Sequence, residues 1–172
     1  MKLVLRYGVD VEESQPRWLD EEERQAWLTL GSLLVQLGPV LDAQLRRDAG
    51  MTFFEYTVMS VLSEATDRTR RMSELAALAD GSLSRLSQVV SRLEQKGWVR
   101  RFPDPADGRY TLATLTDAGW EKVVETAPKH VSEVRRVVFD PLTKAQVQQL
   151  TKIGQRILRV VVPGDKRLDR QA

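Results

Sequence analysis

The stretch SLSRLSQVVSRLEQKGWVRRFPDPADGRYTLATL, Ser82–Leu115, changes its period at Gly97. Before the glycine, Leu83, Leu86, Val89, Val90 and Leu93 return every three or four residues, the spacing of one inward helix face. Ser82 stands where an N-cap belongs and Gly97 where a C′ residue belongs, so a helix is expected over 83–96. After the glycine the period becomes two. WVRRF and RYTLATL read as strands, joined by PDPADG with its prolines and Asp-Gly as turn chemistry. The crown of this hairpin is expected at Asp107, Gly108 and Arg109. A crown is exposed, so an arginine there either reaches outside the protein or does nothing.

The outward side of the helix shows Ser84, Arg85, Ser87, Gln88, Ser91 and Arg92, with no acid until Glu94. These side chains suit base edges: arginine is bidentate to guanine, glutamine to adenine, and serine serves either. The free amides at the helix N-terminus suit a phosphate. With this helix in a major groove, the hairpin lies over the backbone and its tip meets the adjacent minor groove, whose negative potential attracts an arginine. Arg109 is the candidate for that contact. Asp107 is expected to brace the Arg109 guanidinium and bond turn amides, while Arg100 and Arg101 line the hairpin base, where at least one meets phosphate. The candidate DNA-contacting residues are Ser82, Ser84, Arg85, Ser87, Gln88 and Arg92 on the helix, and Arg101, Asp107 and Arg109 on the wing.

Charge distribution agrees. From Arg68 to Arg109, nine basic residues face five acidic ones, a balance of +4; the other 17 basic and 19 acidic residues leave −2, within a total of +2. A basic middle in an acidic frame suggests a polyanion-binding lobe in a larger scaffold.

Upstream, Trp27, Leu30, Leu34, Leu37, Leu41 and Leu45 form one helical stripe between Asp20 and Asp48, with a kink or break expected at Gly38-Pro39. MTFFEY restarts a helix with a capping box, Thr52 with Glu55, running to about Glu64, and Met51 and Tyr56 flank it as a hydrophobic staple. A polar stretch, ATDRTRR, precedes a short helix at Ser73–Ala79 that Asp80-Gly81-Ser82 breaks. Downstream, Thr116 caps a long helix carrying Trp120, Val123, Val124, Ala127, Val131, Val134 and Val138, bent at Pro128. Thr143 and Gln146 form a second capping box, with a staple of Leu142 on Val147, before a last helix with Val147, Leu150, Ile153, Ile157 and Val161. The expected fold class is mainly α with a small β wing: a winged helix-turn-helix lobe between N- and C-terminal dimerisation helices. The boundaries are an arm over 1–19, a helix over 20–48, the lobe over 49–115, helices over 116–162 and a polar tail over 163–172.

From Ser73 to Gly119 the sequence resembles the DNA-binding core of the MarR family, the multiple antibiotic resistance regulators. The likeness runs without gaps through ELA, the S-x-S opening the recognition helix, RLEQKGWVRR, the wing motif DP-x-D-x-R and LT-x-x-G, and more loosely over Asp20–Val162. Gly108 stands where many members carry another arginine, a change that would weaken wing contacts. The resemblance implies a homodimer, and the outer stripes support one independently, since they offer more apolar surface than the lobe can cover. Two recognition helices would face successive major grooves about ten base pairs apart and read a pseudo-palindrome. Family members often take small aromatic or phenolic anions between the dimer helices and the DNA lobe. Trp27, Tyr56, Trp120 and Arg46 could line such a cleft here, and no pocket is assigned.

The function expected is a cytoplasmic, homodimeric, sequence-specific regulator of transcription, a repressor, whose partners are double-stranded DNA, itself and a small effector. No cofactor, metal or membrane is expected. The chain has no cysteine, which excludes disulfides and thiolate sites, and no apolar run was found approaching the roughly 18 residues of a membrane span. His130, the single histidine, is read as a surface or interface residue, with an effector-pocket or pH-sensing role as the other reading. Two competing functions are a winged-helix protein-interaction scaffold, which predicts an apolar recognition face, and an enzyme built around His130, for which no nucleophile or phosphate-loop motif is found.

Overall fold

The computed structural model describes residues 17–163. The described residues divide into two compact units between Gln36 and Leu37, and α1 (Glu21–Ala49) contributes to each. The arm expected over 1–19 and the tail over 163–172 fall almost wholly outside the described residues.

In the first unit, the Asp20 carboxylate accepts from the Glu23 amide (2.8 Å), and the Glu23 carboxylate accepts from the Asp20 amide (3.1 Å). This reciprocal cap, with acids at the first three helical positions, complements the positive helix end. Trp27, Leu28, Leu33, Leu34 and Val35 remain exposed. One expectation needs correcting: an 18-residue window of α1 has a mean hydropathy of 1.3, long and apolar enough by length and composition to cross a membrane. Pro39 does not break α1, which continues to Ala49.

The second unit holds α2 (Phe53–Ser63), β1 (Thr69–Arg71), α3 (Met72–Leu78), α4 (Leu83–Gln95), β2 (Val99–Asp104), β3 (Asp107–Leu115), α5 (Asp117–Val134) and α6 (Lys144–Val161). A 3₁₀ turn at Thr66–Arg68 precedes β1, and a π turn at Arg135–Phe139 extends α5. Both capping boxes form as expected, Thr52 with Glu55 and Thr143 with Gln146. Thr116 caps α5 by accepting from the Gly119 amide.

The core gathers Leu45 and Met51 with Val58, Met59 and Leu62 of α2, Leu75 of α3, Leu86, Val90 and Leu93 of α4, and Val99, Ala113 and Leu115 of the sheet. Each fully buried leucine among them contributes roughly 1.5–3 kcal/mol relative to exposure. The α3–α4 turn is held by Asp80 in the left-handed region (φ 51°), with the Gly81 amide donating to Ala76. Gly97 (φ 73°) closes α4 as the C′ residue of a Schellman motif: its amide donates to Glu94 and that of Trp98 to Leu93.

Three details differ from expectation. The sheet has three strands, ordered β1-β3-β2, because Thr69–Arg71 pairs antiparallel with Leu112–Thr114. The hairpin turns at Pro105-Ala106, so Asp107, Gly108 and Arg109 open β3 rather than form the crown. The register shifts between Pro103 and Asp104, consistent with proline's missing N–H. Leu83, expected inward, is exposed. It is the first residue of α4.

Candidate nucleic-acid interface

Burial of Leu86, Val89, Val90 and Leu93 fixes how α4 faces outward. Ser84, Arg85, Gln88, Arg92 and Gln95 are exposed, and Ser87 and Ser91 are half-buried. Ser82 accepts from the Arg85 amide (3.2 Å) as N-cap and lies 3.3 Å from the Ser84 hydroxyl.

The arginines of this face do not hang free. On the α2 side, the Arg85 guanidinium stacks 4.1 Å over the Phe54 ring, and Arg92 donates to the Glu55 carboxylate (3.2 Å). Burial pushes the Glu55 carboxyl up, but the Thr52 amide, Arg92 and Lys96 together outweigh it and hold the group below its ordinary value. On the wing side, Arg101 is fastened to α4. Its Nε donates to Glu94 (2.9 Å), Nη1 to the Ser87 hydroxyl (3.3 Å), and Nη2 to the Ser91 hydroxyl (2.9 Å) and to Glu94. Its amide also donates to Glu94, whose carboxyl Arg101 holds low. The sequence placed Arg100 and Arg101 at the hairpin base, with phosphate expected for at least one of them; the fold turns the Arg101 guanidinium onto α4.

Arg109 is 84% exposed and forks onto Asp107, Nε to Oδ1 at 2.9 Å and Nη2 to Oδ2 at 2.6 Å. The expected brace is present. The Asp107 carboxyl, held low mainly by this bond, also accepts from the Arg109 amide. Arg100 is exposed, its guanidinium 5.4 Å from the Phe102 ring. A second brace escaped the sequence reading. Buried Asp104 accepts from Arg71 (2.8 and 3.1 Å) and from the Ala106 amide (2.9 Å), tying the wing turn to β1, and Arg71 covers the Tyr110 ring at 4.2 Å. An aspartate before a proline in a turn was a signal for such a bond; its partner lay in a strand too short to recognise.

Of the clefts that border α4, two are lined by more than one of its residues. One of about 300 Å³ lies between α3, α4 and the wing, lined by Arg71, Leu83, Ser87, Arg101, Arg109 and Tyr110 among others. The other, about 840 Å³, lies between the later part of α1, α2 and α4, with Asp42, Arg46, Phe53, Phe54, Arg85 and Arg92 in its walls. Of the four effector-cleft candidates only Arg46 lines it. Tyr56 is core, Trp120 lies under Arg68 and Trp27 belongs to the first unit. His130 is not at the surface: it is buried, with Nδ1 3.0 Å from the Gln44 side-chain oxygen and its ring 4.6 Å from that of Tyr56. Among the described residues no three histidine, cysteine or carboxylate side chains gather as a metal site would require.

Known proteins are similar to this chain. A family model described as the MarR family matches residues 49–109. Sco3205, a MarR family transcriptional regulator from Streptomyces coelicolor solved in complex with DNA, is 42% identical, with 89% of this chain and 96% of that one covered and a TM-score of 0.84. The chain belongs to the MarR family. AbsC, another MarR family regulator from Streptomyces coelicolor, is 34% identical over 85% of this chain and 98% of its own, with a TM-score of 0.80. The transcriptional repressor IacR of Pseudomonas putida is 31% identical over 98 residues, and the match spans 57% of each chain. For a MarR-family chain, α3 and α4 are the helix-turn-helix and β2–β3 the wing.

Proposed function

We propose that this MarR-family regulator binds double-stranded DNA sequence-specifically as a homodimer and acts as a repressor in the cytoplasm. The observation that carries the reading is the face of α4. Ser84 and Gln88 stand exposed between two flanks of tethered arginines, and Arg109 projects from the wing with its fork already set. A scaffold would offer an apolar recognition face instead. Gln88 suits a bidentate adenine contact and Ser84 either a donor or an acceptor edge. Arg109 suits the minor groove, and Ser82 and Asp107 serve by shaping the helix cap and the wing. Sco3205 was solved with DNA, which supports the binding mode, and IacR is a repressor, which supports the sign of regulation.

The homodimer rests on α6, which buries none of its residues within the chain and leaves Leu150, Ile153 and Ile157 exposed. A second copy covering these residues would set two α4 helices about one DNA turn apart. A small ligand in the 840 Å³ cleft would touch α1, α2 and α4 together and could shift that spacing.

Competition anisotropy tests the reading. Gln88→Ala should lose discrimination at one base pair per half-site while keeping non-specific affinity, and Arg109→Ala should weaken every sequence alike. Uniform loss in both variants would remove base reading by α4.

A further inference from the structure

We propose that Arg101 is a positioning residue for sequence choice: through Ser87 and Ser91 it makes the wing-side edge of α4 a row of hydrogen-bond donors, which selects acceptor edges on the bases. The inference rests on the DNA-reading role proposed above and deepens it. A serine hydroxyl carries one donor and two lone pairs, so an unengaged serine reads donors and acceptors alike. Here Nη1 of Arg101 donates to the Ser87 oxygen (3.3 Å) and Nη2 to the Ser91 oxygen (2.9 Å). One lone pair of each is thereby occupied by a cation, and the cation disfavours a second donor approaching the same oxygen.

The protons of these hydroxyls stay available. Helical hydroxyls elsewhere turn back on the helix, as Thr57 does to Phe53, Thr126 to Lys122 and Thr151 to Val147. Among the described residues, Ser87 and Ser91 make no such bond. Glu94 holds the guanidinium by its Nε and Nη2 and by the Arg101 amide, so the fork cannot swing away. In the major groove the acceptors such a donor meets are guanine O6 and N7, adenine N7 and thymine O4; cytosine shows only a donor. Ser87 also lines the cleft between α4 and the wing, on the side where DNA would pass.

The test is a selection from a randomised duplex library at about 150 mM salt, where non-specific binding is weak. Full-length wild type, Arg101→Lys, Arg101→Met and Ser87→Ala are compared. Lysine keeps the charge a phosphate contact would need but offers a single Nζ where the guanidinium offers two nitrogens to the serines. It also retains an ion pair to Glu94, so it preserves the fold if the methionine variant does not. Wild type should show one position per half-site where cytosine is rejected by about tenfold. That rejection should fall to within about threefold in Ser87→Ala and in Arg101→Lys, with the other positions unchanged. Retention of the full motif in Arg101→Lys would overturn the inference and leave DNA reading intact, as would uniform weakening across all sequences. Failure of wild type to recover any motif would overturn both.

Discussion

Arg109 and Arg101 look alike in the sequence and behave differently in the fold. Arg109 forks onto a carboxylate two residues away and remains open to solvent; Arg101 forks onto a helix and is mostly covered. The first arrangement was legible because its partners lie two residues apart. The ties of Arg92 to Glu55 and of Arg71 to Asp104 were not, because they join residues 37 and 33 apart. The residue scale carries two predictions. Gln88→Ala should cost about 1–3 kcal/mol of discrimination at its base pair, read as a ratio of affinities for matched and mismatched duplexes. His130 gives a pH dependence. Burial lowers its pKa from the ordinary 6.5, against the weaker pull of Glu133, so the folded state binds fewer protons than the unfolded one. Stability should therefore be complete above 6.5 and decline as pH falls below it, before the carboxylates titrate. Melting curves at about pH 7.5 and about pH 5.5 should show this loss in wild type and a smaller one in His130→Gln.

Elements with their own punctuation were readable. Both capping boxes, the Ser82 cap and the Gly97 stop are local chemistry, and each forms where the spacing put it. Thr52→Ala should cost about 0.5–2 kcal/mol of unfolding free energy in denaturant titration, since it orphans the Glu55 amide at the start of α2. β1 was invisible, because three residues, Thr-Arg-Arg, show no alternation and owe their strand state to β3. The hairpin crown was placed two residues late, since Asp107-Gly108 carries strong turn chemistry while Pro105-Ala106 is where the chain reverses. The LT-x-x-G motif has a packing reason: a Cβ on Gly119 would sit 2.1 Å from the Trp98 carbonyl oxygen. Gly119→Ala should lower the melting temperature clearly, and an unchanged value would show that α5 can shift away from the α4–β2 junction.

At the scale of the whole molecule, the lobe has a complete core and α6 has none. The apolar period of α6 was plain in the sequence, but an amphipathic helix does not say which chain covers it. Paired Ile153→Asp and Ile157→Asp substitutions should leave the lobe folded and shift sedimentation from dimer to monomer. On the proposed binding mode DNA affinity would then fall steeply, because a single α4 would read one half-site. A dimer that survives both aspartates would place the interface elsewhere.

A sequence-specific regulator distinguishes one duplex sequence from others. The most direct measurement is a mobility shift at nanomolar protein and about 150 mM salt, on the DNA flanking the protein's own gene and on unrelated DNA. Salt matters, since six to ten phosphate contacts lose roughly 10³–10⁵ in affinity between 50 and 200 mM. A sequence-specific chain should give a discrete shift on the flanking DNA, lost in Arg109→Ala. Equal weak binding to both DNAs would contradict that specificity.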